Sequence, residues 1–274
     1  IFNDYKKDKF VNEKINILKN SGRDLLSYII CILCSLFIIA ILLTYVLILF
    51  AKKYPIDFTF TFSHIIKTIN RGALTNLKNS FIVAIFTSII GTMFSFIASY
   101  ITTRIDIKYN RFIHLLSVVS MAIPGIIIGF SYLVFFKNSS IYGTFLILIM
   151  VNIFHFISSP YTMAYNALHK INFNIESVGE ILGLGRTNII LNVIVPKMKN
   201  TLLEMFLYFF TNSMMTISAV AFLVPPAPRQ VSLMINQFND QLLIECAAFV
   251  SLLILISNLI IRFVFSKIIS KNHY

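Results

Sequence analysis

Residues 176–196 read ESVGEILGLGRTNIILNVIVP, the longest run in the chain governed by caps and turns rather than by continuous apolarity. Asn174 is placed to cap a helix start, which puts Glu176 in the first turn, where a carboxylate is stabilised by unpaired N–H groups. Glu176 and Glu180 are four residues apart and share one face, while Ile175, Val178 and Leu182 take the other. Gly183-Leu184-Gly185 is expected to end that helix, because glycine adopts the left-handed conformation of a C-cap. Thr187 is placed to cap a second amphipathic piece and Pro196 to stop it. The expectation is a short helix, a glycine elbow and a second short helix, set between two strongly apolar segments.

Working outward, the 274 residues are 57% hydrophobic and 12% charged, with a mean hydropathy of +0.82. Soluble domains carry about twice that charge. The excess apolarity lies in long, nearly charge-free runs, so the chain reads as an all-α integral membrane protein. Six transmembrane helices are expected, at 25–51, 80–102, 112–136, 144–166, 201–224 and 241–265. Residues 1–24 form a basic lead-in and 52–78 an external connection with alternating Phe58, Phe60 and Phe62. A loop spans 167–200, a Pro-rich turn 225–240 and a tail 266–274. Gly91, Ser95, Ala98 and Ser99 on the second span suit close helix contact in lipid. Cys31 and Cys34 lie in an apolar helix without His or Cys partners at zinc spacing, and three cysteines make no disulfide framework.

Polar groups within the later spans mark candidate pathway positions. Pro124-Gly125 interrupts the third span and reads either as a packing kink or as a broken helix lining a path. Ser131 follows it, Asn152 and His155 lie on the fourth span, and Ser213, Thr216 and Ser218 lie on the fifth. Glu204 and Glu245 stand about a turn inside span ends. They read as interfacial residues or, if buried, as functional candidates.

Orientation follows from charge. Of the 23 Lys and Arg, seven fall in loops on one side: Lys52, Lys53, Lys67, Arg71, Lys78, Lys137 and Arg229. The other sixteen lie in the N-terminal segment, the 104–111 loop, the 167–200 loop and the C-terminal end. Both termini and the 176–196 loop are therefore expected in the cytoplasm. The surplus of +12 is spread over loops and forms no single basic face, so nucleic acid is not the implied partner.

The pattern from Gly183 to Pro196 resembles the EAA loop of bacterial binding-protein-dependent ABC-importer permeases. Ser177-Val178-Gly179 stand where that family has Glu-Ala-Ala, and glutamates flank them at Glu176 and Glu180. Asn79 to Arg104, MAIPGIIIGFSYLVFF at 121–136 and SMMTISAVAFLVPP at 213–226 resemble the ferric-iron and 2-aminoethylphosphonate branch. The resemblance covers roughly residues 76–250. It implies a MetI-like six-helix fold in the bacterial cytoplasmic membrane, and a chain that is either one separate half or the C-terminal half of a fused permease. It implies three partners: a cytoplasmic ATPase dimer that binds the ATP, a second permease half, and an extracytoplasmic substrate-binding protein. Glu176, Ser177, Val178, Gly179, Glu180, Gly183, Gly185 and Pro196 would couple to the ATPase. Pro124, Gly125, Ser131, Asn152, Ser213, Thr216 and Ser218 would line the path.

No Walker A run, GxSxG or HExxH occurs, and the five histidines (His64, His114, His155, His169, His273) are scattered. The chain is expected to be a transport subunit without catalytic residues, resident metal or cofactor. Ferric iron is the expected cargo, with 2-aminoethylphosphonate, a polyamine or an inorganic anion as alternatives. From other classes, a secondary transporter would bring more spans and buried coupling charges. A scaffold would leave the 183–196 grammar without a purpose.

Overall fold

The computed structural model describes residues 20–223 and 229–271 and divides into two units, 1–44 and 45–274. Most of the basic lead-in, Pro225, Pro226, Pro228 and His273 lie outside the described residues. The first unit is described by most of α1 (Ser21–Phe50), an apolar helix whose start is capped by Asn20. Asn20 Oδ1 accepts the N–H groups of Gly22 and Arg23 at 3.1 and 3.4 Å.

In the second unit, β1 (Ala51–Lys53) and β2 (Asp57–Phe60) form an antiparallel hairpin, followed by α2 (Ser63–Asn70). The expected external connection thus holds the one sheet among the described residues. Gly72, at φ 87°, turns the chain directly into α3 (Ala73–Arg104), which begins seven residues before the expected span. Its buried residues Ser80, Ala84, Ser88, Gly91, Ser95 and Ser99 form a continuous stripe of small side chains. A Cβ on Gly91 would stand 2.8–2.9 Å from the Phe209 ring, so the stripe is what admits the neighbouring helix Lys199–Met215.

The expected third span is two helices, α4 (Asn110–Val119) and α5 (Gly125–Phe136), which meet at 109°. Proline forces the residue before it out of the helical region. Ile123 is accordingly extended (φ −96°, ψ 121°), as is Pro124 itself (φ −57°, ψ 136°). The fourth is likewise α6 (Phe145–Phe156) and α7 (Ser158–His169), bent by 54° ahead of Pro160.

Beyond α8 (Asn174–Ile181) and α9 (Arg186–Ile189), a wide π-type turn at Ile190–Ile194 leads through α10 (Val195–Lys197) into α11 (Lys199–Met215). Then α12 (Leu233–Asp240) occupies part of what reads in sequence as a plain Pro-rich turn, and α13 (Ile244–Lys271) closes the fold.

Three described helices are long and apolar enough to cross a membrane: Ser21–Phe50, Ala73–Arg104 and Ile244–Ile268. Counting each bent pair as one span gives five. The segment expected as the fifth of six spans remains helical only to Met215. Thr216 is extended, and turns carry the chain to Leu223.

The core runs along α3. At one end Ala73 packs with Val231, Phe238, Cys246 and Val250. Along its middle, Val83 packs with Ile147, Leu148, Val151, Ala219 and Val220. At the other end Tyr100 packs with Leu168, Ile189, Ile194 and Met205. Outward faces are apolar as well: Phe86, Ile89, Met93 and Phe94 on α3 are exposed. Such exposed apolar faces on a long apolar helix suit contact with lipid.

Candidate functional site

The junction of α7 and α8 is built around Arg104, the last residue of α3, whose side chain is 1% exposed. Its Nη2 donates to the carbonyls of Leu168 (2.6 Å) and Ile171 (2.8 Å), and Nη1 to that of Asn172 (3.4 Å). These carbonyls lie at and just beyond the end of α7, where a cation is suited to bond their remaining lone pairs. Nη1 also lies 3.3 Å from Glu176 Oε2, and the guanidinium stands 4.3 Å above the Phe173 ring centre. One cation therefore closes α7 and holds the first turn of α8.

Behind it runs a ladder at four-residue spacing on α7 and just beyond. Tyr161, Tyr165, His169 and Phe173 contact one another in sequence at 5.9, 4.6 and 6.1 Å between ring centres. The buried Tyr161 hydroxyl bridges Thr102 Oγ1 (2.9 Å) and His114 Nδ1 (2.8 Å).

Several local expectations are corrected here. Asn174 does not cap α8: it is the first helical residue, Phe173 holds the cap position, and the Asn174 N–H is taken by Asn172 Oδ1 at 3.0 Å. Glu176 and Glu180 do not share an environment. Glu176 is buried on Arg104, whereas Glu180 faces solvent, 3.7 Å from Arg186 Nη2. Ile175 packs inward, Ser177 is exposed, and Val178, Ile181, Leu182 and Leu184 are 53, 84, 69 and 46% exposed. The apolar face of this helix is the open one, because the buried guanidinium claims the side that carries Glu176.

Gly183 meets its expectation. At φ 75° it is left-handed, the Leu184 N–H reaches the Gly179 carbonyl (2.9 Å) and the Gly183 N–H that of Glu180 (3.0 Å). This is a Schellman ending. Gly185 is not left-handed; it is extended and precedes α9 in the position expected of Thr187, which is a helical residue. Gly179 gives the two arms room to meet, since a Cβ there would lie 2.4 Å from Ile189 Cδ1. Between the arms lies an apolar groove of about 330 Å³ lined by Ile175, Val178, Leu182, Leu184, Ile189 and Val193. Pro196 does not stop the second arm. The Met198 N–H bonds the Ile194 carbonyl at 2.9 Å, and the chain continues as α11.

Of the expected pathway residues, the structure brings Pro124, Gly125 and Ser218 together. A Cβ on Gly125 would stand 2.6 Å from Ser218 Oγ and 2.9 Å from His155 Nε2. One turn along α5, a Cβ on Gly129 would stand 2.4 Å from the Ala219 carbonyl oxygen. Two breaks in helical structure, at Pro124 and at Thr216, thus pack against each other through glycines. Thr216 is buried, and its carbonyl accepts the Ser232 hydroxyl at 2.6 Å. Asn152 and Ser213 are fully buried in helix packing. Ser131 is exposed and bonds its own helix at the Ile127 carbonyl (2.8 Å).

An open groove bearing polar groups lies elsewhere. Glu204, Tyr208, Thr211 and Asn212 on α11, with Met163 and Arg262, line a cavity of about 380 Å³. Tyr208, Thr211 and Arg262 escape the sequence reading, although positions 204, 208, 211 and 212 repeat at helical spacing. Glu245 is buried and accepts the Tyr54 N–H at 2.9 Å, so it is a capping group for the hairpin.

A small-residue seam along one long apolar helix, paired helix breaks and a helical elbow are the features of an integral-membrane protein built from closely packed helices. The chain belongs to the family of binding-protein-dependent transport system inner membrane components, which it matches over residues 91–270. It is 24% identical over 221 residues to the ferric transport system permease protein FbpB of Actinobacillus pleuropneumoniae, an alignment covering 78% of this chain and 32% of that protein. The chain thus spans about a third of the length of that curated relative.

Its fold is shared with a bacterial ABC transporter involved in the import of the acidic polysaccharide alginate (TM-score 0.72, 13% identity, 91% of this chain and 96% of that one). It is shared also with the MetNI methionine ABC transporter in an inward-facing conformation (TM-score 0.59, 17% identity, 76% and 97%). The resemblance to ABC-importer permeases read from the sequence holds.

Proposed function

We propose that this chain is the transmembrane permease subunit of a bacterial ABC importer, coupled through its 176–196 elbow to a separate ATPase dimer that carries the ATP. The observation that supports this most directly is α8. It presents Val178, Ile181 and Leu182 outward on a helix fixed at its start by Arg104 and at its end by Gly183. Exposed apolar side chains on a rigid frame, rimmed by Glu180 and Arg186, are the features of a protein-docking surface. Ser177 and Gly179 complete that helix, and Pro196 joins the elbow to α11, so displacement of the elbow carries α11 with it.

In this reading α11 with 216–223 makes a sixth crossing, and both termini and the elbow are cytoplasmic, as the distribution of Lys and Arg favours. The protein resides in the cytoplasmic membrane beside a second permease half, and an extracytoplasmic binding protein delivers the cargo. Ferric iron is the proposed cargo, on the similarity to the Actinobacillus ferric permease. The groove bearing Glu204, Tyr208, Thr211 and Asn212 is the proposed path wall, with the Pro124–Gly125 and Thr216–Ser218 breaks as its movable part.

The test is recovery of an ATPase with the tagged chain from detergent-solubilised native membranes, repeated with Ile181→Glu. Recovery with the native chain and loss with Ile181→Glu is expected. Equal recovery from both would move the docking surface elsewhere, and no ATPase in either would sink the permease reading.

A further inference from the structure

We infer that the β1–β2 hairpin and the start of α2 form an aromatic anchor that lies in the lipid interface of the membrane. The hairpin is pinned to the end of a membrane-crossing helix: the Tyr54 N–H bonds Glu245 in the first turn of α13, and α2 packs along the same helix. It therefore stands at the depth where hydrocarbon gives way to headgroups. There its Phe58, Phe60, Phe62, Ile56 and Ile66 are 64, 67, 56, 77 and 60% exposed.

These side chains are organised. Phe60 stacks on Phe50 at 4.8 Å, and Phe62 closes on both rings edge-to-face at 5.0 and 5.5 Å. Tyr54 meets Phe58 at 6.0 Å. Such order argues that the patch is a built surface.

Three observations favour lipid over a soluble partner as its occupant. Three N–H groups of the hairpin find their partners within the segment itself, which suits a segment entering a low-dielectric region. The Thr61 N–H reaches the Phe50 carbonyl (3.0 Å), Ile56 that of Lys53 (2.8 Å), and the Thr59 N–H is taken by Asp57 Oδ1 (2.9 Å). The large exposed side chains of the patch are Phe and Ile, and the exposed lysines beside them, Lys52, Lys53 and Lys67, are long enough to hold their ammonium groups in water while the rings enter lipid. The hairpin's charged groups Lys52, Lys53 and Asp57 lie at its base and turn, with Lys52 Nζ 3.7 Å from Asp57 Oδ2, an arrangement that leaves the rings free to enter lipid while charge stays in water. The chain has no Trp, so an interfacial belt has to be made of Phe and Tyr.

The absence of Trp also makes the test clean, since Phe58→Trp is the only indole in the 274 residues. The full chain carrying it would be reconstituted into phosphatidylcholine and phosphatidylglycerol vesicles. Parallel samples would hold lipids brominated near the carbonyl end or at mid-chain. The expected result is blue-shifted emission, loss of most fluorescence with the shallow bromines, a smaller loss with the deep ones, and little response to aqueous iodide. Emission of a water-exposed indole, quenched by iodide and not by brominated lipid, would overturn the inference. Emission shielded from both would overturn it too, showing that protein covers the patch. Phe62→Trp provides an independent reporter on the neighbouring ring if Phe58→Trp disturbs the hairpin.

Discussion

Arg104 and Glu176, 72 residues apart in sequence, meet at 3.3 Å in a nearly dry site where α3 ends and α8 begins. Removing one partner of a buried ion pair destabilises by about 3–5 kcal/mol. Arg104→Ala is expected in that range by thermal unfolding in detergent, and Glu176→Gln, which retains an acceptor, clearly below it. The charge exchange Arg104→Glu with Glu176→Arg should not restore stability, because Arg104 also holds the Leu168 and Ile171 carbonyls. Full recovery in the exchanged protein would reduce the site to a simple pair.

The elbow depends on one of its two glycines. Gly183 is left-handed, where a β-branched residue is disfavoured by roughly 1–2 kcal/mol. Gly183→Val should abolish transport while membrane insertion persists, and Gly183→Asn should be tolerated far better. Gly185→Ala should be nearly silent, since a Cβ there meets nothing within 4 Å. A transport assay on the three variants decides the matter; equal loss in all would contradict the Schellman geometry.

Two glycines on α5 are expected to differ as well. At Gly129 the obstacle is the Ala219 backbone carbonyl, so Gly129→Ala should destabilise by about 1–3 kcal/mol. At Gly125 the obstacles are the Ser218 and His155 side chains, so Ser218→Gly should partly rescue Gly125→Ala. No comparable rescue of Gly129→Ala by a side-chain change at Ala219 is expected. Unfolding temperatures of the four proteins measure this directly.

Thiol chemistry separates the open groove from the buried polar groups. Tyr208→Cys and Thr211→Cys should react with a membrane-impermeant maleimide in inside-out vesicles, whereas Asn152→Cys and Ser213→Cys should not. Prompt labelling at Ser213 would return the path to the face expected from sequence alone.

What was legible in the sequence was local. Gly183 needed only its own φ, and Pro124 its own missing N–H, so both breaks were visible from residue type. The direction in which Glu176 points was not visible, because the group that attracts it arrives from the end of another helix. The same holds for the end of α11 at Met215. Neither Gly nor Pro marks it; the chain leaves the helix where Ser232 takes the Thr216 carbonyl and where Gly125 and Gly129 admit residues 218–219. The angle of 109° at Pro124 likewise belongs to packing and not to proline alone. The family resemblance gave the general kind of fold, and the polar face of α11 emerges only when positions 204, 208, 211 and 212 are taken together at helical spacing.

The wide turn at Ile190–Ile194 sets a phase. A π-type turn holds one residue more than an α-turn, and one residue is roughly 100° of rotation about a helix axis. The turn therefore sets the phase between α9 and α11, and the side of α11 that shows Glu204, Tyr208 and Thr211 is fixed relative to the side of α9 that shows Ile189. Deleting a single residue within 190–194 would leave every side chain in place along the sequence and turn the groove away from the side it now faces.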